Sequence, residues 1–379
     1  MKIIVDENVP YGREAFGLLG TVETAHGRKI SRDMLMDADA LVVRSITKVN
    51  GELLEGTPVK FVGTCTIGED HVDKAWLAAN GVAFSSAPGC NANSVGDYIT
   101  AALFEMARAM DHPLRGMRLG IVGVGNVGSK VWKKASALGM ECVLCDPPRF
   151  EREQNPVFRP LEELYDCDFI TFHVPMEKTG PHPTWHLADE AFLKNMKEGA
   201  VLFNSSRGAV VDNQALKAAL LSWHLSGALL DVWEGEPRVD TELLALVDIA
   251  TPHIAGYSFD GKVNGTRQVY EALCASLGRR AEWDPSPLLP APEVAELTVV
   301  PRDPAALEDA VSAVYPITRD DSRMRPMIAL DNDDERAAYF DRLRKEYPRR
   351  REFFNTKIRM TTPDPALAEQ FAGVGFTLA

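Results

Sequence analysis

Short apolar runs alternate with helical stretches along the first ninety residues. The runs predict strands at residues 2–5, 22–25, 40–44, 59–63 and 82–85. Strands that alternate with helices form parallel sheets covered by helices. The pattern therefore predicts a flavodoxin-like α/β domain.

A second alternating region follows a long apolar-periodic run at residues 95–110, which predicts a helix. Its predicted strands lie at residues 119–122, 141–145, 169–173, 200–204, 227–232 and 247–250. Six such strands are typical of a full Rossmann-type dinucleotide-binding domain. Residues 261–281 predict a helix that packs back on the first domain, which would make that domain discontinuous in sequence.

The composition changes at residues 284–292, where four of nine residues are proline, a pattern typical of an extended linker. The tail predicts strands at 296–300 and 356–360 and helices at 304–314 and 333–346, which together indicate a small α+β module. We therefore expect a substrate domain of residues 1–93 plus 258–283, a dinucleotide-binding domain of residues 94–257 and a C-terminal domain of residues 284–379.

A basic cluster lies in this tail and is interleaved with acidic residues. Such alternation favours a solvated helix face, although a site for anions stays open as the alternative. The basic residues are Arg342, Arg344, Lys345, Arg349, Arg350 and Arg351.

Charge and composition exclude several classes of partner. The 379-residue chain carries a net charge of −13, which disfavours binding to nucleic acid or anionic membranes. No window resembles a membrane span or a secretory signal, so we expect a cytoplasmic protein. The six cysteines are dispersed, which predicts reduced thiols. Cys142 and Cys145 form a C-x-x-C inside a predicted strand, so we expect no metal there or elsewhere.

A glycine-rich block, Gly123-Val-Gly-Asn-Val-Gly, lies between a predicted strand and a predicted helix. Gly123 would make the tight turn, Gly125 would allow close approach of a pyrophosphate, and Gly128 would let the helix pack on the strand. Asn126 and Val127 lie at the start of that helix, where backbone N–H groups bind phosphate. The context makes this block far more specific than the motif alone.

An acidic residue, Asp146, ends the next predicted strand. Its carboxylate can accept hydrogen bonds from the adenosine ribose and would repel a 2′-phosphate. NAD is therefore favoured over NADP, although Arg149 and Arg152 nearby leave NADP open.

Three polar residues follow predicted strands of the same domain, at the edge where open α/β sheets bind ligands. Arg207 can bind a carboxylate with two hydrogen bonds, and His253 can exchange a proton with a hydroxyl group. Glu236 can orient that imidazole and stabilise its charged form. Each of the three, taken singly, also fits a structural role.

Four ordered blocks make residues 1–280 similar to the D-isomer-specific 2-hydroxyacid dehydrogenases. They are the glycine block, Ser206-Arg207-Gly208, residues 231–237, and Pro-His-Ile-Ala-Gly at 252–256. The resemblance implies an NAD-dependent dehydrogenase with Arg207, Glu236 and His253 as its catalytic set. It also implies cofactor contacts at Ser206, Arg207, Gly208, Asp231 and Gly256.

Other segments, at residues 63–73, 86–98, 178–186 and 340–352, resemble one branch of that family. Its members act on a small phosphorylated 2-hydroxy acid and carry a C-terminal module that pairs two subunits, so a homodimer is implied. The resemblance also implies substrate contacts at Ser45, Thr66 and Tyr257. Arg44 and Lys48 are further candidates to neutralise the phosphate, or are surface charges.

Two alternatives remain for the activity. The same catalytic set would serve a phosphoglycerate or hydroxypyruvate dehydrogenase equally well. The second alternative is an NAD-sensing corepressor of this fold, which is disfavoured because the tail of the chain predicts a folded module instead of a flexible segment.

Overall fold

The computed structural model describes residues 1–303 and 305–379, and their contacts divide the chain into two compact units. The first unit comprises residues 1–93 and 258–291, and the second comprises 94–257 and 292–379. The C-terminal segment thus shares a unit with the dinucleotide-binding segment. Its standing as a separate domain stays a prediction.

The first unit is built on a five-stranded parallel sheet with the order β2-β1-β3-β4-β5. This is the flavodoxin-like order, as predicted. The strands are β1 (Lys2–Asp6), β2 (Thr21–Ala25), β3 (Ala40–Val43), β4 (Phe61–Thr64) and β5 (Ala83–Ser85), and the helices are α1 (Gly12–Phe16), α2 (Arg32–Leu35), α3 (Gly51–Leu54) and α4 (Lys74–Ala79). The predicted strands are therefore present, with ends shifted by one or two residues.

The second unit contains a six-stranded parallel sheet with the order β11-β10-β9-β8-β6-β7. Its central strands are buried along their whole length, as expected for a sheet covered on both faces. The strands are β6 (Arg118–Val122), β7 (Glu141–Cys145), β8 (Phe169–Phe172), β9 (Val201–Asn204), β10 (Gly227–Leu230) and β11 (Ile249–Ala250), and the helices are α5 (Ala92–Ala109), α6 (Asn126–Ala137), α7 (Pro147–Glu153), α8 (Glu190–Asn195), α9 (Asn213–Leu221) and α10 (Thr241–Leu246).

Leu144 of β7 also forms an isolated parallel bridge with Phe158, a residue outside the named strands. Phe158 therefore lies next to β7, in the position of the third strand of a full dinucleotide-binding fold. The sequence analysis missed it because a single pair of residues has no periodicity to detect.

Helix α11 (Phe259–Ser276) belongs to the first unit, although the whole dinucleotide-binding segment separates it from β5. Its apolar face, including Val269 and Leu273, packs on Ile3 and other strand residues. Gly63 in β4 allows this close approach, because a Cβ atom there would lie 2.2 Å from Val269 Cγ1. The predicted return helix is thus present.

The C-terminal segment forms a three-stranded parallel sheet with the order β12-β13-β14. Its strands are β12 (Glu296–Val299), β13 (Lys357–Met360) and β14 (Thr377–Leu378), and its helices are α12 (Ala306–Val314), α13 (Ile317–Met324), α14 (Asp333–Lys345) and α15 (Pro365–Val374). The start of the helix predicted at 304–314 falls on Pro304, which lies outside the described residues. Helices α13 and α15 were not predicted.

This segment covers the edge strand of the six-stranded sheet. The Ala250 amide of β11 donates to Asp321 Oδ1 at 2.8 Å. Arg325 donates to the carbonyl oxygens of Val247 and Asp248. Capping an edge in this way satisfies backbone groups that would otherwise be open to other chains.

The basic cluster of the tail is not a uniformly solvated helix face, so that prediction was wrong for part of it. Arg350 and Arg351 follow α14 and are buried, at 8% and 9% exposure, and Arg344 is partly buried. Arg342 and Arg349 are exposed, as predicted.

The six cysteines are free thiols. Cys142 and Cys145 lie on β7, as expected. Burial raises the pKa of Cys145 to about 12, which makes a reactive thiolate there unfavourable. Across the described residues, no helix combines the length and apolar character needed to cross a bilayer.

Candidate active site

The glycine-rich turn lies between β6 and α6 and has the conformation that each glycine was predicted to supply. Gly123 adopts φ +83°. A Cβ atom on Gly128 would lie 2.0 Å from the Gly123 carbonyl oxygen, so the helix begins against the turn. A Cβ atom on Gly125 would meet no atom within 4 Å, and no side chain caps the first turn of α6. This open space beside uncapped N–H groups, including those of Asn126 and Val127, fits a pyrophosphate.

Asp146 follows β7, as predicted, and its carboxylate faces the same turn. Oδ2 accepts from the Val124 amide at 2.8 Å and Oδ1 accepts from the Arg149 amide at 3.0 Å. The Arg149 side chain forms two 2.9 Å bonds to Glu153, and Arg152 contacts Glu153 at 2.8 Å. The two cations that left NADP open thus share one carboxylate, Glu153.

Arg207 follows β9 in a turn that is held by its own side chains. Asn204 Nδ2 donates to the Arg207 carbonyl oxygen at 2.9 Å, and Asn204 Oδ1 accepts from the amide and hydroxyl groups of Ser206. A Cβ atom on Gly208 would lie 2.0 Å from the Trp233 carbonyl oxygen. The turn that carries Arg207 therefore packs directly on the backbone just before Glu236.

Asp231, at the end of β10, organises the segment that carries His253. It is 1% exposed. Oδ1 accepts from Thr251 Oγ1 at 2.6 Å and from the Ile254 amide at 2.7 Å, and Oδ2 accepts from the Ala255 amide at 2.9 Å. His253 itself has φ +57°, a left-handed conformation that a non-glycine residue adopts only when its surroundings impose it. Asp231 therefore acts in this structure as a support of residues 251–255.

Glu236 and His253 form the hydrogen-bonded pair that the sequence predicted. Glu236 Oε1 lies 2.5 Å from His253 Nδ1, and Glu236 Oε2 accepts from the Trp233 amide at 3.1 Å. Burial alone would raise the pKa of Glu236, but the hydrogen bond and charge of His253 outweigh it and hold this pKa below its ordinary value. The His253 side chain is 31% exposed. A proton on Nδ1 leaves Nε2 as the acceptor, the arrangement of a general base.

The remaining candidates lie in both units. Tyr257 and Gly256 follow His253 in the second unit, and Tyr257 accepts a hydrogen bond from Arg344 at 2.9 Å. Residues from the ends of the adjacent strands β3 and β4 form the first-unit group: Arg44, Ser45, Lys48 and Thr66. Ser45 and Lys48 are exposed, and Thr66 Oγ1 lies 2.7 Å from Thr64 Oγ1.

A second histidine cluster was not predicted. His186 Nε2 lies 2.7 Å from Glu234 Oε1, and its Nδ1 lies 3.6 Å from Asp212 Oδ2. The three residues offer ligand atoms within 4.8 Å of one another. Because the two carboxylates face different ring nitrogens, the arrangement fits an imidazole held from both sides better than a single metal ion.

The sequence analysis gave Thr251 no role and placed Arg344 only in the basic cluster. Thr251 adjoins the Pro-His motif, so its contact with Asp231 could have been suspected from its place in that block. Arg344 is one cation in a run of charges, and no local signal marks it as a neighbour of Tyr257.

Comparison with known proteins matches the chain to two family models. Residues 92–255 match "D-isomer specific 2-hydroxyacid dehydrogenase, NAD binding domain". Residues 288–375 match "Domain of unknown function (DUF3410)". The C-terminal segment thus corresponds to a family domain of its own.

Relatives of known name extend the match over the chain. An erythronate-4-phosphate dehydrogenase of Salmonella arizonae is 47% identical over 378 residues, which are 99% of this chain and 98% of the relative. Among solved structures, the TT0316 protein of Thermus thermophilus has a TM-score of 0.63 at 27% identity and covers 74% of this chain and 98% of its own. A D-lactate dehydrogenase of Aquifex aeolicus, complexed with NAD and lactic acid, has a TM-score of 0.60 at 26% identity and covers 73% and 95%.

The first family match covers the six-stranded sheet and the glycine turn. NAD is the cofactor that the matched domain binds. The chain belongs to the D-isomer-specific 2-hydroxyacid dehydrogenase family, in the group that contains the erythronate-4-phosphate dehydrogenases.

Proposed function

We propose that this enzyme oxidises 4-phospho-D-erythronate at C2 to (R)-3-hydroxy-2-oxo-4-phosphobutanoate, with NAD, in the biosynthesis of pyridoxal 5′-phosphate. The observation that carries the chemistry is the 2.5 Å contact between Glu236 and His253 beside the turn that holds Arg207. The substrate rests on the 47% identity to an erythronate-4-phosphate dehydrogenase, which spans the C-terminal segment as well.

The catalytic residues divide the reaction among them. Arg207 binds the substrate carboxylate, for which a guanidinium group offers two parallel donors. His253 Nε2 takes the proton of the C2 hydroxyl group, and Glu236 stabilises the imidazolium that forms. The N-terminus of α6 and Asp146 would hold NAD, which would act as the hydride acceptor when bound.

Residues of the first unit are proposed to select the substrate. Ser45 and Thr66 offer hydroxyl groups, and Tyr257 of the second unit offers a third. Arg44 suits the phosphate because its Nη1 is buried and has no hydrogen-bond partner among the described residues. Lys48 is exposed and would add a second positive charge.

Steady-state assays of the purified enzyme test this substrate. The formation of NADH is measured with 4-phospho-D-erythronate, 3-phosphoglycerate and D-lactate, and hydroxypyruvate is tested in the reverse direction. We expect kcat/KM to be highest for 4-phospho-D-erythronate. A higher value for 3-phosphoglycerate, or a higher kcat/KM for reduction of hydroxypyruvate than for reduction of the 2-oxo product of 4-phospho-D-erythronate, would identify another dehydrogenase of the family. NAD binding without turnover of any hydroxy acid would favour the corepressor-like alternative.

A homodimer and a cytoplasmic location complete the proposal. The dimer would form through residues 284–379, the segment with a family domain of its own. Light scattering of the full chain tests it, and a monomer at micromolar concentration would contradict it. Fractionation of cells that express the native chain tests the location.

A further inference from the structure

Arg344 lies in the last turn of α14 and is directed at the segment that follows His253. Its Nη2 donates to the Tyr257 hydroxyl group at 2.9 Å. Its guanidinium carbon lies 5.6 Å from the centre of the Tyr257 ring and 5.9 Å from that of Phe340. Removing an arginine from water costs free energy unless its partners compensate, and Tyr257 and Phe340 are such partners here.

The charge of Arg344 also acts on the catalytic pair. Burial would lower the pKa of Arg344, but Tyr257 and Glu236 outweigh it and raise this pKa. In return, Arg344 is one of the groups that lower the pKa of Glu236, after His253 and the Trp233 amide. One side chain of the C-terminal segment therefore interacts with Tyr257 and, through space, with Glu236.

A second arginine of the same segment holds the residue on the other side of Gly256. Arg350 Nη2 lies 2.5 Å from the Ala255 carbonyl oxygen and 2.5 Å from Ser94 Oγ. Its guanidinium carbon stacks 4.2 Å from the centre of the Tyr315 ring. Residues 255 and 257 are thus both anchored to the C-terminal segment, two and four residues beyond the proposed base.

We propose that Arg344 is a positioning residue of the active site, which orients the Tyr257 hydroxyl group and whose positive charge acts on the Glu236 carboxylate. Arginine has no acceptor atom, so the Tyr257 oxygen must accept and its hydroxyl hydrogen points away from the guanidinium group. The C-terminal segment then contributes to catalysis within its own chain, in addition to any role in pairing subunits. The proposal rests on the function proposed above.

The first test compares Arg344→Gln with Arg342→Gln, since Arg342 lies on the same helix and is exposed. We expect Arg344→Gln to lower kcat/KM by about ten- to a hundredfold, as the misplacement of a substrate-binding group does. Loss of the positive charge makes protonation of the catalytic pair easier. The acid limb of the pH profile should therefore move to higher pH, by about half a unit or more. Arg342→Gln should match the wild type in both measurements.

Arg344→Lys separates charge from geometry. A lysine keeps the positive charge but lacks the planar fork of donors. We expect the acid limb of this variant to stay where the wild type has it, with kcat/KM between those of the wild type and Arg344→Gln. A shift of the limb as large as that of Arg344→Gln would contradict the electrostatic part of the proposal.

A double-mutant cycle covers the case in which Arg344→Gln fails to fold. Tyr257→Phe removes the acceptor and keeps Arg344, and Arg344→Lys is combined with it. Because the two residues act as a unit, Arg344→Lys should lower kcat/KM by less than about twofold in the Tyr257→Phe background. Full additivity would overturn the proposal, as would a folded Arg344→Gln that behaves like Arg342→Gln.

The two proposals fail in different ways. If the wild type oxidises another 2-hydroxy acid better than 4-phospho-D-erythronate, the substrate assignment falls. The Arg344 comparison is then repeated with the preferred substrate. If the wild type prefers 4-phospho-D-erythronate and Arg344→Gln equals its control, the positioning role falls and the substrate assignment stands.

Discussion

Two histidine–glutamate pairs in the second unit differ in what their rings leave open. His253 contacts Glu236 through Nδ1 at 2.5 Å, and its Nε2 has no hydrogen-bond partner among residues 1–303 and 305–379. His186 contacts Glu234 through Nε2 at 2.7 Å and faces Asp212 through Nδ1 at 3.6 Å. The Trp185 ring also stacks on His186, with 3.8 Å between the ring centres.

The comparison indicates which features a general base needs and a structural histidine lacks. A general base needs one nitrogen that is oriented by a partner and a second that can reach the substrate. Glu236 orients one nitrogen of His253 and the other has no partner among the described residues, as the proposed base requires, whereas both nitrogens of His186 face carboxylates. Two glutamates that are separated by one residue, Glu234 and Glu236, therefore support different roles.

Removing the base gives the largest expected effect. His253→Ala should lower kcat by about two to four powers of ten, because the proposed acceptor of the hydroxyl proton is lost. The affinity for NAD, measured by fluorescence titration of NADH, should stay within about twofold. An equal loss of cofactor binding would show that His253 holds the fold of the site instead of moving a proton.

Neutralising the partner of the base ranks second. Glu236→Gln should lower kcat by about two powers of ten, because the imidazolium that forms loses its counter-charge. The acid limb of the pH profile should move to lower pH, since a neutral amide stabilises the protonated imidazole less than a carboxylate does. This direction is opposite to that expected for Arg344→Gln. A limb that moves to higher pH would contradict the assigned electrostatics.

Removing the second histidine should affect stability more than catalysis. His186→Ala should leave kcat within about threefold of the wild type. It should reduce the free energy of unfolding by about 1.5 kcal/mol, the lower end of the range for a hydrogen bond to a charged partner, because both side chains are partly exposed. Urea denaturation and steady-state kinetics measure the two quantities. A loss of kcat comparable with that of His253→Ala would remove the distinction between the pairs.

The smallest effect is expected from metal ions. Glu234 and Asp212 face different ring nitrogens of His186, so a single metal ion cannot bind the imidazole and both carboxylates in this arrangement. Zinc at about ten micromolar should therefore raise Tm by less than about 1 °C. A larger rise that His186→Ala abolishes would show that the cluster rearranges into a metal site.

The parallel sheets and the cofactor turn were predictable because their signals are local. Buried parallel strands appear as apolar runs, such as residues 201–204, and the jobs of Gly123 and Gly128 follow from a strand, a turn and a helix adjacent in sequence. The positions of Arg207, Glu236 and His253 after strands were predictable for a related reason, and their catalytic roles stay predictions. Their individual cofactor and substrate contacts stay predictions.

The contacts of the C-terminal arginines were not predictable, because they join residues that are far apart in sequence. Arg344 and Arg350 lie in a run of alternating charges, which predicts a solvated surface unless the partners are known. Those partners, Tyr257 and the Ala255 carbonyl oxygen, lie about ninety residues earlier. No periodicity encodes such a pairing, and the burial of these arginines was missed for that reason.

The buried carboxylate of Asp231 has a consequence for how this protein tolerates variation. The Asp231 carboxylate accepts hydrogen bonds from the hydroxyl group of Thr251 and from the amides of Ile254 and Ala255. A single substitution at Asp231 would therefore remove all three hydrogen bonds from the loop. Natural variants at this position would inactivate the enzyme as fully as variants of the base. A mutational scan scored by growth would rank Asp231 among the reacting groups, although in this structure its carboxylate serves the loop.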